Sequence, residues 1–347
     1  MESTVVKPRI ALIPGDPSGI GPELVAKLLA DRDIREFAQV LLIGDEHVFA
    51  LGQQQAGATF ALQRCDATHD DWAALDAYAW HPTDNLTVDD IKVATVNEAS
   101  GRCVLRTLDT ALDLWGRGVI DAIVFAPFNK AAMHLAGLGC DDELHYMAGK
   151  LEVDNYITEL NTLDGLWTSR VTSHIPLREV AETITGERIG EAIDLIDTVL
   201  KRSGVSRPRI SVAALNPHAG DGGKFGREEI DVIAPAVAEA AARQIAADGP
   251  WPSDTVFLRA KAGEVDAIVT MYHDQGQIAL KLTGFDRGVS VQGGLPLPVT
   301  TPAHGTAFDI AGQGVANVRA TRAAFDLACN MVRHWHPVPN PTSDSIQ

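Results

Sequence analysis

Along the chain, short apolar runs alternate with longer stretches whose apolar positions recur at helical spacing. Arg9–Ile13 is such a run. It ends in Pro14-Gly15-Asp16-Pro17-Ser18-Gly19-Ile20-Gly21-Pro22, and Glu23–Ala30 then follows with helical periodicity, which reads as strand, tight loop, helix. Further runs fall at Val40–Ile43, Ala122–Phe125, Ser169–Thr172, Ile210–Leu215 and Ala267–Met271, and helical stretches at Val104–Trp115, Gly190–Leu200, Glu228–Ala246 and Arg319–Val332. Strands separated by helices of this length imply βαβ units, so the expected class is α/β with an open, mostly parallel sheet. No fixed-period repeat or low-complexity block interrupts the pattern. The tail from His336 has no apolar period and is expected to be frayed and dispensable.

Composition narrows the class. A chain of 347 residues that is 46% hydrophobic suits a soluble globular protein of about two domains. With 29 Lys+Arg against 46 Asp+Glu, a net charge of -17 opposes a phosphate backbone, and no basic stripe offsets it, so no nucleic-acid partner is expected. No apolar run approaches the roughly 20 residues that span a bilayer, and the N-terminus lacks a signal-peptide pattern; the expectation is a cytoplasmic protein without a membrane partner. Cys65, Cys103, Cys140 and Cys329 are widely spaced, which suits reduced, mostly buried thiols.

Three histidines hold equivalent positions. His174, His218 and His273 each stand just past the C-terminal end of an expected strand, the rim where ligands bind in open α/β sheets. Three imidazoles on one rim suit a divalent metal with an open position for substrate; satisfied loop or cap histidines are the plainer alternative. Gly220, Gly222, Gly223 and Gly226 crowd around His218, as a backbone that approaches something closely would require. Asp274, Gln275 and Lys281 follow His273 and suit ligand orientation or proton transfer. Gly15–Pro22 opens a helix, so its amides could bind an anion, although a plain turn fits as well. His304-Gly305-Thr306-Ala307, with Asp309 and Ala311-Gly312-Gln313-Gly314, is a second glycine-rich loop before a helix. An acid beside such a loop suits ribose hydroxyls.

These motifs, in this order, resemble the 4-hydroxythreonine-4-phosphate dehydrogenase family: Pro14–Glu23, Ser173–Leu177, Asn216–Gly223, Met271–Gly276 and His304–Ala307. The likeness runs from Ile10 to about Met331. It implies the two-domain α/β/α fold of isocitrate and isopropylmalate dehydrogenases, with residues 1–124 plus 283–347 as the cofactor side, 125–282 as the metal, substrate and dimerisation side, and a cleft between. It implies one divalent metal per site, zinc or else magnesium, manganese or cobalt, on His174, His218 and His273, the third ligand coming from a homodimer partner. Lys281 and Asp254 match catalytic pocket residues. His304, Gly305, Thr306, Ala307, Asp309 and Asn317 match the cofactor segment, and an acid at Asp309 favours NAD over NADP.

The departures concern the substrate. The family's phosphate-binding Gly-His-Thr-Glu aligns with Asp142-Glu143-Leu144-His145, its phosphate-binding Arg with Val299, and a nearby Asn with Ser290. Acid and apolar groups in place of charge-assisted donors remove phosphate affinity, and only a local shift of alignment would return His145 to that role. The expected activity is therefore NAD- and metal-dependent oxidation of a secondary alcohol in an unphosphorylated hydroxy acid or diol, with decarboxylation where a carboxylate lies β to the new ketone. Relatives that oxidise a carboxylated cyclohexadiene diol show such a branch. The alternatives are a genuine 4-phosphohydroxythreonine dehydrogenase of pyridoxine phosphate biosynthesis, a metal-dependent hydrolase or lyase, and a non-catalytic binding protein.

Overall fold

The computed structural model describes residues 6–31, 34–75 and 77–335. Its first strands are β1 (Arg9–Ile13), β2 (Gln39–Gly44), β3 (Leu62–Arg64), β4 (Tyr78–Pro82), β5 (Ala122–Phe125) and β6 (Thr158–Leu163). There follow β7 (Leu166–Arg170), β8 (Ile210–Ala213), β9 (Ala247–Trp251), β10 (Ala267–Thr270), β11 (Val289–Gly293) and β12 (Val299–Pro302). All lie in one sheet, in the order β3-β4-β2-β1-β5-β12-β11-β6-β7-β10-β8-β9. Pairing is parallel except at β12–β11, β11–β6 and β6–β7. Two parallel wings thus meet through an antiparallel centre.

The principal helices are α1 (Gly21–Leu29), α2 (Glu98–Gly116), α3 (Glu143–Lys150), α4 (Gly186–Arg202), α5 (Ala234–Ala242), α6 (His273–Gly284) and α7 (Arg319–His334). Buried Ile189, Ile193, Ile196 and Leu200 recur at helical spacing along α4 and seat it on the sheet, each burial contributing about 1.5–3 kcal/mol. In β1, Ile10 and Leu12 join the apolar cluster on one face of the sheet, while Ala11 and Ile13 join the cluster on the other. Both faces are covered, which is why the strands read as continuous apolar runs.

The α/β class and the parallel sheet are as the apolar pattern indicates, and β1 and β5 coincide with the expected runs. Three elements differ. The strand expected at Ser169–Thr172 starts earlier and ends at Arg170, the next two amides still bonding to the Thr270 and Met271 carbonyls. The single helix expected over Glu228–Ala246 is a π turn at Glu229–Ile233 leading into α5, which stops before β9. Pro235 in its first turn removes an amide donor, and the Glu229 carboxylate turns back to the amides of Leu215 and Asn216. The β6–β7 hairpin turns on Asp164-Gly165, both at positive φ (49° and 89°), a two-residue signal legible in the sequence that the apolar-run reading passes over.

Residues 130–150, expected in the middle domain, pack with the first wing: Met133, Leu144 and Met147 share a cluster with Val104 and Leu108 of α2. The four cysteines are free thiols and three are buried. No helix among the described residues is long and apolar enough to cross a membrane. The tail from His336 lies outside the described residues.

Candidate active site

Strands β7, β10 and β8 are parallel neighbours, so their C-terminal ends share one edge, and His174, His218 and His273 follow those three ends. The sheet brings two of them together. The rings of His174 and His273 lie 5.7 Å apart, tilted by 40°. His174 holds a left-handed backbone (φ 51°), and Thr172 beside it is tied to the Met271 carbonyl through both its amide (3.1 Å) and its hydroxyl (2.8 Å). His273 opens α6 with Nδ1 against Asp274 Oδ1 at 2.7 Å, which leaves Nε2 for a ligand. Burial, then the charges of Lys130 and Arg170, push the His174 pKa down, which favours the neutral imidazole, the form that binds metal.

His218 stands apart. Among the described residues no group of three or more His, Cys, Asp or Glu is placed to hold a metal. His218, Ala219, Gly220, Asp221 and Gly222 form a left-handed turn, with φ of 53°, 52°, 79°, 46° and 66°. The crowded glycines serve an approach, but to the protein itself: a Cβ on Gly220 would come within 2.7 Å of Glu229 Oε2, and one on Gly226 within 2.3 Å of Asn216 Nδ2. Glu229 accepts from the amides of Leu215 (2.9 Å) and Asn216 (2.7 Å) and so anchors the turn. Asp254 is exposed on the turn after β9, the strand paired with β8, and its neighbour Ser253 donates to the Ala214 carbonyl (2.6 Å) and accepts from Gln275 of α6 (3.0 Å).

Beside the histidine pair, a cavity of about 720 Å³ opens among Lys130, Asp141, Asp142, Glu143, His145, Glu159, Arg170, His174, Arg188, Glu191 and Gln292. Five carboxylates face three basic side chains there. Its floor is a network across the antiparallel centre. Arg170 donates to Asn161 Oδ1 (2.8 Å), Glu159 Oε1 (3.3 Å) and Ser173 Oγ (3.0 Å), while Asn161 donates to Ser290 Oγ (2.9 Å) and accepts from Gln277 (2.6 Å). Lys281 lines an adjoining recess with Asn161 and Gln277. Arg170, Asn161, Glu159, Lys130 and Gln292 stand in none of the motifs named above. Arg170 carried a signal, a charged residue inside the strand that leads to His174.

The α3 end is acidic. Asp142 caps the helix, accepting from the His145 amide (3.0 Å) and contacting its ring Nδ1 (2.6 Å), and these contacts outweigh burial and hold its carboxyl below the usual range. Burial raises the Glu143 pKa, with Lys130 Nζ 4.0 Å away. Three residues expected to meet substrate are largely buried, and of these Leu144 lines the cavity. Leu144 packs into the core under α3, Val299 is fully buried on β12, and the Ser290 hydroxyl is engaged by Asn161.

Two other motifs have settled roles. The Gly15–Pro22 loop is buried throughout and carries Gly19 against Thr306, so it braces the second glycine loop and has no open amides for an anion. Glu23 Oε1 accepts from the Ala316 amide at 2.7 Å, and Lys27 donates to the carbonyls of Gly314 and Ala316. Held in this way, the His304–Ala307 segment leaves open space over Gly305. The Asp309 carboxylate is exposed, and Asn317 caps the start of α7 by accepting from the Arg319 amide at 3.0 Å. Gln275 joins strand ends, accepting from the Met271 amide and donating to the Ala214 carbonyl, and is not a free ligand-orienting group.

Comparison with known proteins identifies the family. The family described as pyridoxal phosphate biosynthetic protein PdxA matches residues 36–328. A Pseudomonas aeruginosa protein, named provisionally as 4-hydroxythreonine-4-phosphate dehydrogenase 2, is 54% identical over 94% of this chain and 98% of its own length. The D-threonate 4-phosphate dehydrogenase of Salmonella typhimurium is 37% identical over 93% and 98%. The structure of 4-hydroxythreonine-4-phosphate dehydrogenase from Klebsiella pneumoniae superposes with a TM-score of 0.81 at 35% identity, covering 95% of this chain and 99% of that one. A terephthalate 1,2-cis-dihydrodiol dehydrogenase from Burkholderia xenovorans gives 0.64 at 25% identity, over 93% and 98%.

Proposed function

The chain belongs to the PdxA family of dehydrogenases, and from that premise we propose that it is an NAD- and divalent-metal-dependent enzyme oxidising the secondary alcohol of an unphosphorylated hydroxy acid or diol. The observation that carries this reading is the His174–His273 pair, 5.7 Å apart at the mouth of a cavity richer in carboxylates than in basic groups.

Two imidazoles, one oriented by a carboxylate, fit a metal and favour the transition metals over magnesium. His218 would complete the set from a second copy and bring Asp254 with it. Exposed Leu177, Phe225, Ile278 and Leu282, on the elements that carry the three histidines, support such a homodimer. When bound, the metal would polarise the alcohol oxygen and favour its deprotonation. The loop from His304 to Ala307, with Asn317, would hold the dinucleotide, and Asp309 would hold its ribose hydroxyls. NAD supplies the hydride acceptor.

This chain's own groups then divide the work. Arg170 and Asn161 fix the cavity floor, and Lys281, in the adjoining recess, takes or relays the alcohol proton, with Asp254 of the second copy as its partner. A carboxylate β to the new ketone would leave as CO₂. A second reading, oxidation of a phosphorylated four-carbon acid, is favoured by the relatives' names and by Lys130 and His145 near the start of α3.

NADH formation with added zinc, manganese, cobalt or magnesium, measured on paired phosphorylated and unphosphorylated hydroxy acids and on dihydrodiols, tests the proposal. Turnover confined to phosphorylated substrates would select the second reading. Binding of metal and NAD without turnover of any substrate would defeat both.

A further inference from the structure

Gln292 lies on β11, where strand alternation puts it on the same face as Ser290 and the register sets it opposite Glu159. Its side chain forms part of the wall of the substrate cavity and is 3% exposed, yet neither Oε1 nor Nε2 has a hydrogen-bond partner. Glu143, in the same cavity and 9% exposed, leaves Oε2 unpartnered too; the nearest cation, Lys130 Nζ, is 4.0 Å away. Native proteins leave few buried polar atoms unmet, and at a cavity wall water or a ligand completes the set.

We infer that Gln292 reads the non-reacting end of the substrate, and that this end carries hydroxyl groups rather than a phosphate. The inference rests on the dehydrogenase reading above. The unmet atoms are one donor nitrogen, the amide Nε2 with its two N–H groups, and two acceptors, Gln292 Oε1 and Glu143 Oε2. A hydroxyl donates and accepts, so a pair of neighbouring hydroxyls can donate to both oxygens and accept from the amide N–H groups. A phosphate at neutral pH offers acceptors almost exclusively. It would leave both oxygens unmet and bring its charge against Glu143 and Glu159. Gln292 is thus a specificity residue that works by hydrogen bonding.

The test compares the wild type with Gln292→Leu on three acids: a trihydroxybutanoate such as threonate, its 4-deoxy counterpart 2,3-dihydroxybutanoate, and 4-phosphothreonate. Initial NADH rates and ligand-induced shifts in melting temperature are both read. The variant should lose about ten-fold or more in kcat/KM on the trihydroxy acid, through KM, with little change on the deoxy acid. Its ligand-free melting temperature should not fall, because an apolar group replaces an unsatisfied amide. Equal losses on both acids, or a lowered ligand-free melting temperature, would make Gln292 a structural residue and overturn the inference. So would a wild-type protein whose melting temperature responds only to the phosphorylated acid, or to none of the three. Wild-type NADH formation on any of the acids reports separately on the dehydrogenase reading, and the melting shifts report on Gln292 even where no NADH forms.

Discussion

His174 and His273 face each other at 5.7 Å because β7 and β10 are parallel neighbours whose ends the Thr172–Met271 hydrogen bonds hold level. His218, past the end of the next strand, does not join them within one chain. A shared site accounts for both facts and has a stoichiometric consequence.

Alanine at His174, His218 or His273 should each abolish metal retention and NADH formation with an unchanged circular dichroism spectrum. Mixing the inactive His174→Ala and His218→Ala proteins should restore about a quarter of wild-type activity, since half the dimers are hybrids and each hybrid has one intact site. No recovery on mixing would place all three ligands in one chain.

Asp309 is exposed beside the open space over Gly305. Asp309→Ser should lower the preference for NAD over NADP by about ten-fold or more, by removing the ribose contact and the repulsion of a 2′-phosphate. The ratio of kcat/KM for the two cofactors measures it. An unchanged ratio would remove Asp309 from the cofactor site.

Asp16 is 1% exposed, accepts from the Ser18 amide at 2.7 Å, and leaves Oδ2 unmet. Burial raises its pKa from 3.8 to about 6. The folded protein therefore holds a proton that the unfolded chain releases between about pH 4 and 6, so stability falls as pH rises through that window and stays lower above it. Asp16→Asn should raise stability at pH 7 by on the order of 2–3 kcal/mol and flatten this slope. Urea unfolding at pH 4.5 and pH 7 would show both; a variant with the wild-type slope would assign the pH dependence to other groups.

In the left-handed turn, Gly220→Ala would strain a φ of 79° and press on Glu229 Oε2 at 2.7 Å. The expected cost is about 1–2 kcal/mol, with weaker metal retention. Ala219→Gly, at φ 52°, should leave metal retention intact. If both variants retain metal equally, the turn does not position His218.

Much of the architecture was legible along the chain. Continuous apolar runs gave the α/β class, and the punctuation after each run placed all three histidines on one edge of the sheet. Glu228–Ala246 misled because its helical periodicity carries no trace of the Glu229 carboxylate turning back to the amides of Leu215 and Asn216. Val299 shows a related limit, for it is fully buried on β12. Alignment gives a residue's position in a motif and says nothing of the face its side chain takes.

The sequence by itself determined the elements, the rim on which chemistry sits, and the glycine loops, because these follow from local periodicity and backbone freedom. Only the tertiary structure decided that His174 meets His273 while His218 does not. It also decided that the Gly15–Pro22 loop is a brace, and that Arg170, Glu159 and Gln292 form the walls of one cavity. Those relations depend on which strands become neighbours and in what register. Such pairings join residues far apart in the chain, and a shift of one position would turn every side chain of a strand to the other face.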